Sequence, residues 1–137
     1  MSLMDIFKPQ QPTVMAVDDD QMLLDMYEVF LEAFNCKLVK VSDSREAAAT
    51  AEKCKPVLIL LDISMPVFTG LQVLDMLRAK PTTKNTPVLM ITGERSMGDI
   101  EAAFRLGASD YLVKPISRAV FEQKVKPLLE KGISGAK

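Results

Sequence analysis

The chain has 137 residues, a length for one domain, and its 48% hydrophobic and 26% charged residues match an ordered globule rather than a disordered chain. Lys+Arg 17 against Asp+Glu 18 leave a formal charge of −1, which argues against a polyanionic partner and against direct nucleic-acid contact. There is no histidine, which removes the commonest general base, the Ser-His-Asp and Cys-His arrangements and histidine-held metals.

The N-terminal stretch MSLMDIFKPQQP lacks the apolar core of a signal peptide, and no apolar run nears the roughly 20 residues needed to span a bilayer. A cytoplasmic location without membrane contact is expected. Cys36 and Cys54 are too few for a disulfide framework or a zinc site and suit a reducing compartment. Residues 1–12 read as an N-terminal extension, and its Met1-Ser2-Leu3 start is consistent with a vector-derived remnant.

Thr13–Val17 is a short apolar strand that runs into Asp18-Asp19-Asp20, with Asp20 the expected N-cap of the first helix. That helix is predicted to turn Leu23, Met26, Tyr27, Phe30, Ala33 and Phe34 inward. Lys37–Val41 alternates polar and apolar residues, as an edge strand does, and Asp43 with Glu46 marks the start of an alanine-rich second helix. Val57–Leu61 is apolar throughout, which fits a central strand buried on both faces, and it ends at Asp62. A loop over 63–70 leads to a third helix carrying Leu71, Leu74 and Leu77.

Pro87–Ile91 forms the fourth strand and ends at Thr92. Ser96 is the expected cap of the fourth helix, which faces Ile100, Ala103 and Phe104 inward and stops at Gly107. Asp110–Val113 is the fifth strand, closed by Lys114-Pro115. Ser117 opens a last helix that Pro127 is expected to kink or end early. The domain proper is then 13–131, and 132–137 reads as a tail or the first residues of a linker.

Five strand–helix units in series predict an α/β fold, a doubly wound parallel sheet with right-handed crossovers. Ligands of such sheets bind outside the carboxyl ends of the strands. Those ends deliver Asp18, Asp19, Asp62, Thr92 and Lys114 to one edge. Three carboxylates held together need neutralising, and Mg2+ takes such hard oxygen ligands. A carboxylate there can attack phosphorus, with Lys114 offsetting charge on the phosphoryl oxygens, Thr92 donating to one of them and Gly93 leaving its amide free.

The pieces VDDD, LLDISMPVFTG, MITG and GASDYLVKP at the ends of strands one, three, four and five are specific in combination. On them, the chain from about Thr13 to Lys131 resembles the receiver domain of two-component response regulators. The resemblance implies a flavodoxin-like sheet of order 2-1-3-4-5 with five helices. It implies that Asp62 accepts the phosphoryl group and that Asp18, Asp19, Asp62 and the backbone carbonyl of Ser64 hold Mg2+. Thr92, Gly93 and Lys114 would bind the phosphoryl group, Thr92 and Tyr111 would form the switch, and the Lys114–Pro115 bond would be cis. The donor would be a sensor histidine kinase or a histidine phosphotransfer protein. The target would be an output partner or fused output domain, reached through the face of the fourth helix, fifth strand and fifth helix, a face also compatible with a homodimer. Such a domain catalyses its own phosphorylation and dephosphorylation and is not a turnover enzyme.

Departures from the family pattern are small. Gly93 stands where alanine is common, and Phe68 either packs in its loop or meets a partner. Two other readings compete. Asp18-x-Asp20 also resembles the opening motif of haloacid-dehalogenase-type phosphatases, although Met22 and the short chain fit that family poorly. A scaffold that works without phosphorylation is disfavoured by the intact acid pair, acceptor and lysine.

Overall fold

The computed structural model describes residues 11–136, and the expectation for residues 1–10 lies outside them. In chain order the elements are β1 (Thr13–Val17), α1 (Gln21–Phe30), β2 (Lys37–Val41), α2 (Ala47–Cys54) and β3 (Leu58–Asp62). They continue with α3 (Gly70–Arg78), β4 (Val88–Thr92), α4 (Ile100–Arg105), β5 (Asp110–Val113) and α5 (Arg118–Gly135). All strand pairs are parallel and the order is β2-β1-β3-β4-β5, the doubly wound, flavodoxin-like arrangement.

The sheet is double-faced because β1, β3 and β4 carry apolar residues at nearly every position. Successive side chains point to opposite faces. Leu58 and Leu60 of β3 join Val14, Ala16, Leu89 and Ile91 beneath α1 and α5. Ile59 and Leu61 join Met15, Val17, Val88 and Met90 beneath α2, α3 and α4. Each valine, leucine, isoleucine or methionine among them is worth about 1.5–3 kcal/mol when fully buried, so these two rows supply much of the driving force. Among the described residues no helix is long and apolar enough to cross a membrane.

Several local expectations are corrected. Helix α1 stops at Phe30 and gives way to a 3-10 turn over Leu31–Ala33, so Ala33 is exposed and Phe34 only half-buried. Tyr27 is buried as expected, joined by Leu24 and Leu31 in an i, i+3, i+7 stripe, while Leu23, Met26 and Phe30 are partly buried against the same core. Asp43 caps a 3-10 turn (Ser44–Glu46) ahead of α2, accepting from the Arg45 amide. Ser96 does not cap α4. It lies within a 3-10 stretch, Glu94–Asp99, and its hydroxyl pairs with that of Ser64 at 2.8 Å. Phe104 does not face inward either but is 44% exposed, because the short α4 seats only Ile100 and Ala103 against the sheet.

Pro127 does not end α5, which continues past it and past Lys131 to Gly135. A helical proline frees the carbonyl four residues back, here that of Gln123. Gln123 and Pro127 are both on the exposed side, where water can satisfy that carbonyl. Leu129 and Gly132 are buried and seat the far end of the helix. A Cβ at Gly132 would overlap the Val57 carbonyl, a rigid backbone group. Gly132→Ala should therefore lower stability by about 1–2 kcal/mol through overpacking. Urea denaturation reads this, and an unchanged midpoint would show that the helix end is not seated on Val57.

On the opposite side of the sheet, Arg78 closes α3. Its guanidinium donates to the carbonyls of Thr83 at 2.8 Å and Gly107 at 2.9 Å. Gly107 has φ of +91°, a left-handed conformation that glycine adopts without strain, and it terminates α4.

Candidate functional site

Strand register builds the site. The last β1–β3 pair is Val17 with Leu61, so the next residues, Asp18 and Asp62, come side by side at the carboxyl edge. Asp62 pairs with Ile91 and Thr92 with Val113, which brings Thr92 and Lys114 to the same edge. Asp18 is 1% exposed and Asp62 2% exposed. Asp19 faces solvent. One carboxylate oxygen from each of the three lies within 4.8 Å of the others.

Among the described residues a single ammonium serves this cluster. Lys114 Nζ lies 3.2 Å from Asp62 Oδ1 and 3.6 Å from Asp18 Oδ2. The Asp18 carboxylate also accepts the Asp20 amide on Oδ1 at 2.9 Å and the Tyr27 hydroxyl on Oδ2 at 3.2 Å. Asp20 turns away from the cluster and caps α1 by accepting from the Met22 amide at 3.0 Å.

Burial and the Asp18 charge push the Asp62 carboxyl up to about 6, against the opposing pull of Lys114 and the Ser64 amide. Burial also raises Asp18, while the Asp20 amide, Lys114 and Tyr27 act against it. The Tyr27 phenol is pushed far above the ordinary tyrosine range by burial and the neighbouring Asp18 charge, so its hydroxyl stays a donor. One cation against three hard-oxygen carboxylates leaves the site short of positive charge, which is the donor set that fits Mg2+.

The remaining predicted residues border this cluster. Thr92 is fully buried, and its hydroxyl donates to the Gly93 carbonyl at 2.9 Å rather than towards Asp62. A Cβ at Gly93 would meet nothing within 4 Å, so the alanine common in the family would fit. Ser64 is exposed two residues after Asp62, in the loop that leads to α3. The Lys114–Pro115 peptide bond is cis.

Tyr111 is half-buried, with Phe104 edge-on at 6.2 Å and Lys124 Nζ at 4.6 Å above its ring. Lys124 also donates to the Tyr111 carbonyl at 2.7 Å and to Asp110 at 3.1 Å. Phe68 is half-buried against the core, which favours its loop-packing role. The same loop is tied down by Ser44, whose hydroxyl donates to the Pro66 carbonyl at 2.8 Å and accepts the Phe68 amide at 3.1 Å.

Sequence reasoning does not reach three of these contributors. Ser44 and Lys124 carry no signal in spacing. Tyr27 does carry one, a phenol on the inward stripe of α1 nine residues after Asp18, but it reads as ordinary core.

Residues 14–126 match the family model described as "Response regulator receiver domain". The chain is 37% identical over 120 residues to the transcriptional regulatory protein PrrA of Mycobacterium tuberculosis, covering 88% of this chain and 51% of that protein. It thus spans about half the length of these curated relatives. The chemotaxis protein CheY4 of Vibrio cholerae superposes with a TM-score of 0.80 at 30% identity, over 87% of this chain and 99% of that one. The receiver domain of sensor histidine kinase PA1611 from Pseudomonas aeruginosa PAO1 does so with a TM-score of 0.79 at 25% identity, over 88% and 99%. That structure has a magnesium ion coordinated in its active site cleft.

The chain belongs to the response regulator receiver domain family, the phosphorylation-controlled modules of two-component signalling. Receiver domains bind Mg2+ at an acidic site and are generally not turnover enzymes, and response regulators interact with histidine kinases and have output domains. The phosphatase reading finds no support in these relatives, and Asp20, which it would need at the site, is occupied in capping α1.

Proposed function

We propose that this domain takes a phosphoryl group from a phosphohistidine onto Asp62 and hands the resulting shape change to an output partner. The observation that carries this is the buried Asp62 carboxylate, flanked by Asp18 and Asp19 and met by Lys114 at 3.2 Å. An Asp62 oxygen attacks phosphorus, the P–O bond forms as the P–N bond breaks, and the donor histidine nitrogen keeps the bonding electron pair. Asp18, Asp19, Asp62 and the Ser64 backbone carbonyl would hold Mg2+, which offsets negative charge on the carboxylates and the transferred group. Lys114 contributes a protein cation at the reacting centre, and the Gly93 amide and Thr92 hydroxyl bind the transferred oxygens. Water later hydrolyses the acyl phosphate, so both phosphorylation and its reversal proceed within this domain.

Thr92 then leaves the Gly93 carbonyl for the phosphoryl group, and Tyr111 turns into the space it vacates. The face of α4, β5 and α5 is thereby re-formed for an output partner, a fused output domain or a second copy of the chain. Moving such a switch from 1:99 to 99:1 takes about 5.5 kcal/mol of preference for the active state. A sensor histidine kinase or a histidine phosphotransfer protein is the donor, in the cytoplasm, without nucleic-acid or membrane contact by this domain.

Beryllofluoride, a mimic of the phosphoryl group, tests the switch. Amide shifts should move across α4, β5 and α5 in the wild type and much less in Lys114→Ala, which lacks a contact made only in the loaded state. An identical response from that variant would remove Lys114 from the switch. A wild-type chain that failed to respond with magnesium present would count against the whole reading.

A further inference from the structure

Helix α1 sends one polar atom, the Tyr27 hydroxyl, into the acidic site, and nothing in the phosphoryl-transfer chemistry uses it. A phenylalanine would fill the same space in the core, so the ring alone does not account for a tyrosine here. The hydroxyl is buried and would be costly to desolvate without a partner. Its partner is Oδ2 of Asp18 at 3.2 Å.

We propose that Tyr27 is a positioning residue for Asp18, fixing the rotation of that carboxylate so that it presents its free lone pairs to a divalent cation. The inference rests on the magnesium reading of the site. A carboxylate turns about its Cβ–Cγ bond unless both oxygens are held. Here Oδ1 is held by the Asp20 amide at 2.9 Å and Oδ2 by the Tyr27 hydroxyl. Lys114 Nζ, at 3.6 Å from Oδ2, is too long for a hydrogen bond and bonds Asp62 instead. Each Asp18 oxygen accepts one of these two donors and keeps a further lone pair for a cation.

The donor is itself immobile. The Tyr27 ring is 1% exposed and stacks on Phe121 of α5 with centroids 6.0 Å apart and planes 6° from parallel. Phe121 is fully buried and also meets Phe30, at 5.4 Å. The packing of α1 on α5 therefore sets where the hydroxyl sits, and the hydroxyl sets how Asp18 is turned. Groups that hydrogen-bond a metal's ligands from outside typically change metal affinity about 10–100-fold when removed.

Calorimetric titration of the chain with magnesium chloride, for wild type and Tyr27→Phe, tests this. The variant should bind about tenfold more weakly, at the lower end of that range because one of the two donors remains. In metal-free samples its Asp20 amide resonance should also shift, since that N–H reports the orientation of Asp18 directly. In an Asp18→Asn background, adding Tyr27→Phe should change magnesium affinity no further. Wild type and Tyr27→Phe binding magnesium equally, with only the urea midpoint lowered, would reduce Tyr27 to a packing residue and overturn the inference alone. A wild-type chain that bound no magnesium would overturn both the inference and the reading beneath it.

Discussion

Asp62→Asn should take up no phosphoryl group from phosphoramidate and magnesium, whereas the wild-type chain should gain a single one, read as one mass increment on the intact protein. The loss should be complete rather than partial. An amide is a poor nucleophile at phosphorus, and among the described residues no other carboxylate occupies an equivalent position. Asp19 is solvent-exposed, and Asp18 is oriented by the Asp20 amide and the Tyr27 hydroxyl while the Lys114 ammonium bonds Asp62. Lys114 makes its hydrogen bond to Asp62 at 3.2 Å, which sets a cation beside the proposed acceptor. The wild-type product should behave as an acyl phosphate, lost on treatment with hydroxylamine. Label that persists in Asp62→Asn, or that depends on Asp18 instead, would refute Asp62 as the acceptor.

The same substitution should make the magnesium-free protein more stable, by roughly 2–3 kcal/mol at pH 7. Burial and the adjacent Asp18 charge hold the folded Asp62 carboxyl at about 6, against 3.8 for the unperturbed group. The folded state therefore binds this proton more tightly than the unfolded chain does. Stability from this group falls as pH rises from about 4 to about 6 and is level beyond, the direction opposite to that of a salt-bridged carboxylate. An asparagine has no charge to desolvate and removes the repulsion of Asp18. Urea denaturation in EDTA should thus show the variant ahead of wild type at pH 7, with the gap closing towards pH 4. A variant less stable than wild type at pH 7 would mean that the Lys114–Asp62 pair outweighs the cost of burial.

Much of the architecture is legible in the sequence because burial on both faces leaves so little choice. The run Leu58-Ile59-Leu60-Leu61, set in a series of strand–helix units, suits the middle of a parallel sheet, and it does lie at the centre, between β1 and β4. The carboxylates and the lysine are legible for a related reason. Parallel strands deliver their final residues to one edge, so Asp18, Asp62 and Lys114 converge without any knowledge of helix packing. What spacing does not reveal is contact between elements. Tyr27 meets Asp18, and Lys124 meets Tyr111, only because α1 and α5 cross the sheet at particular angles. Local rules failed where tertiary contacts outbid them. The hydroxyl of Ser96 reached across to Ser64 instead of capping α4, and α5 absorbed Pro127 on its wet side.

The guanidinium of Arg78 gives α4 two unequal ends. At Gly107 the helix is riveted to α3 by a charge-assisted bond to a backbone carbonyl, and the same side chain grips Thr83. At the other end, the stretch from Glu94 to Asp99 is joined to the β3–α3 loop by one neutral hydroxyl pair, Ser64 with Ser96. In the switch proposed above, a displacement arriving from Thr92 would meet the weaker joint first. The expected motion of α4 is then a swing about Gly107, with its travel greatest beside the acidic pocket, so that a small shift at the strand end would become a tilt of the helix as a whole.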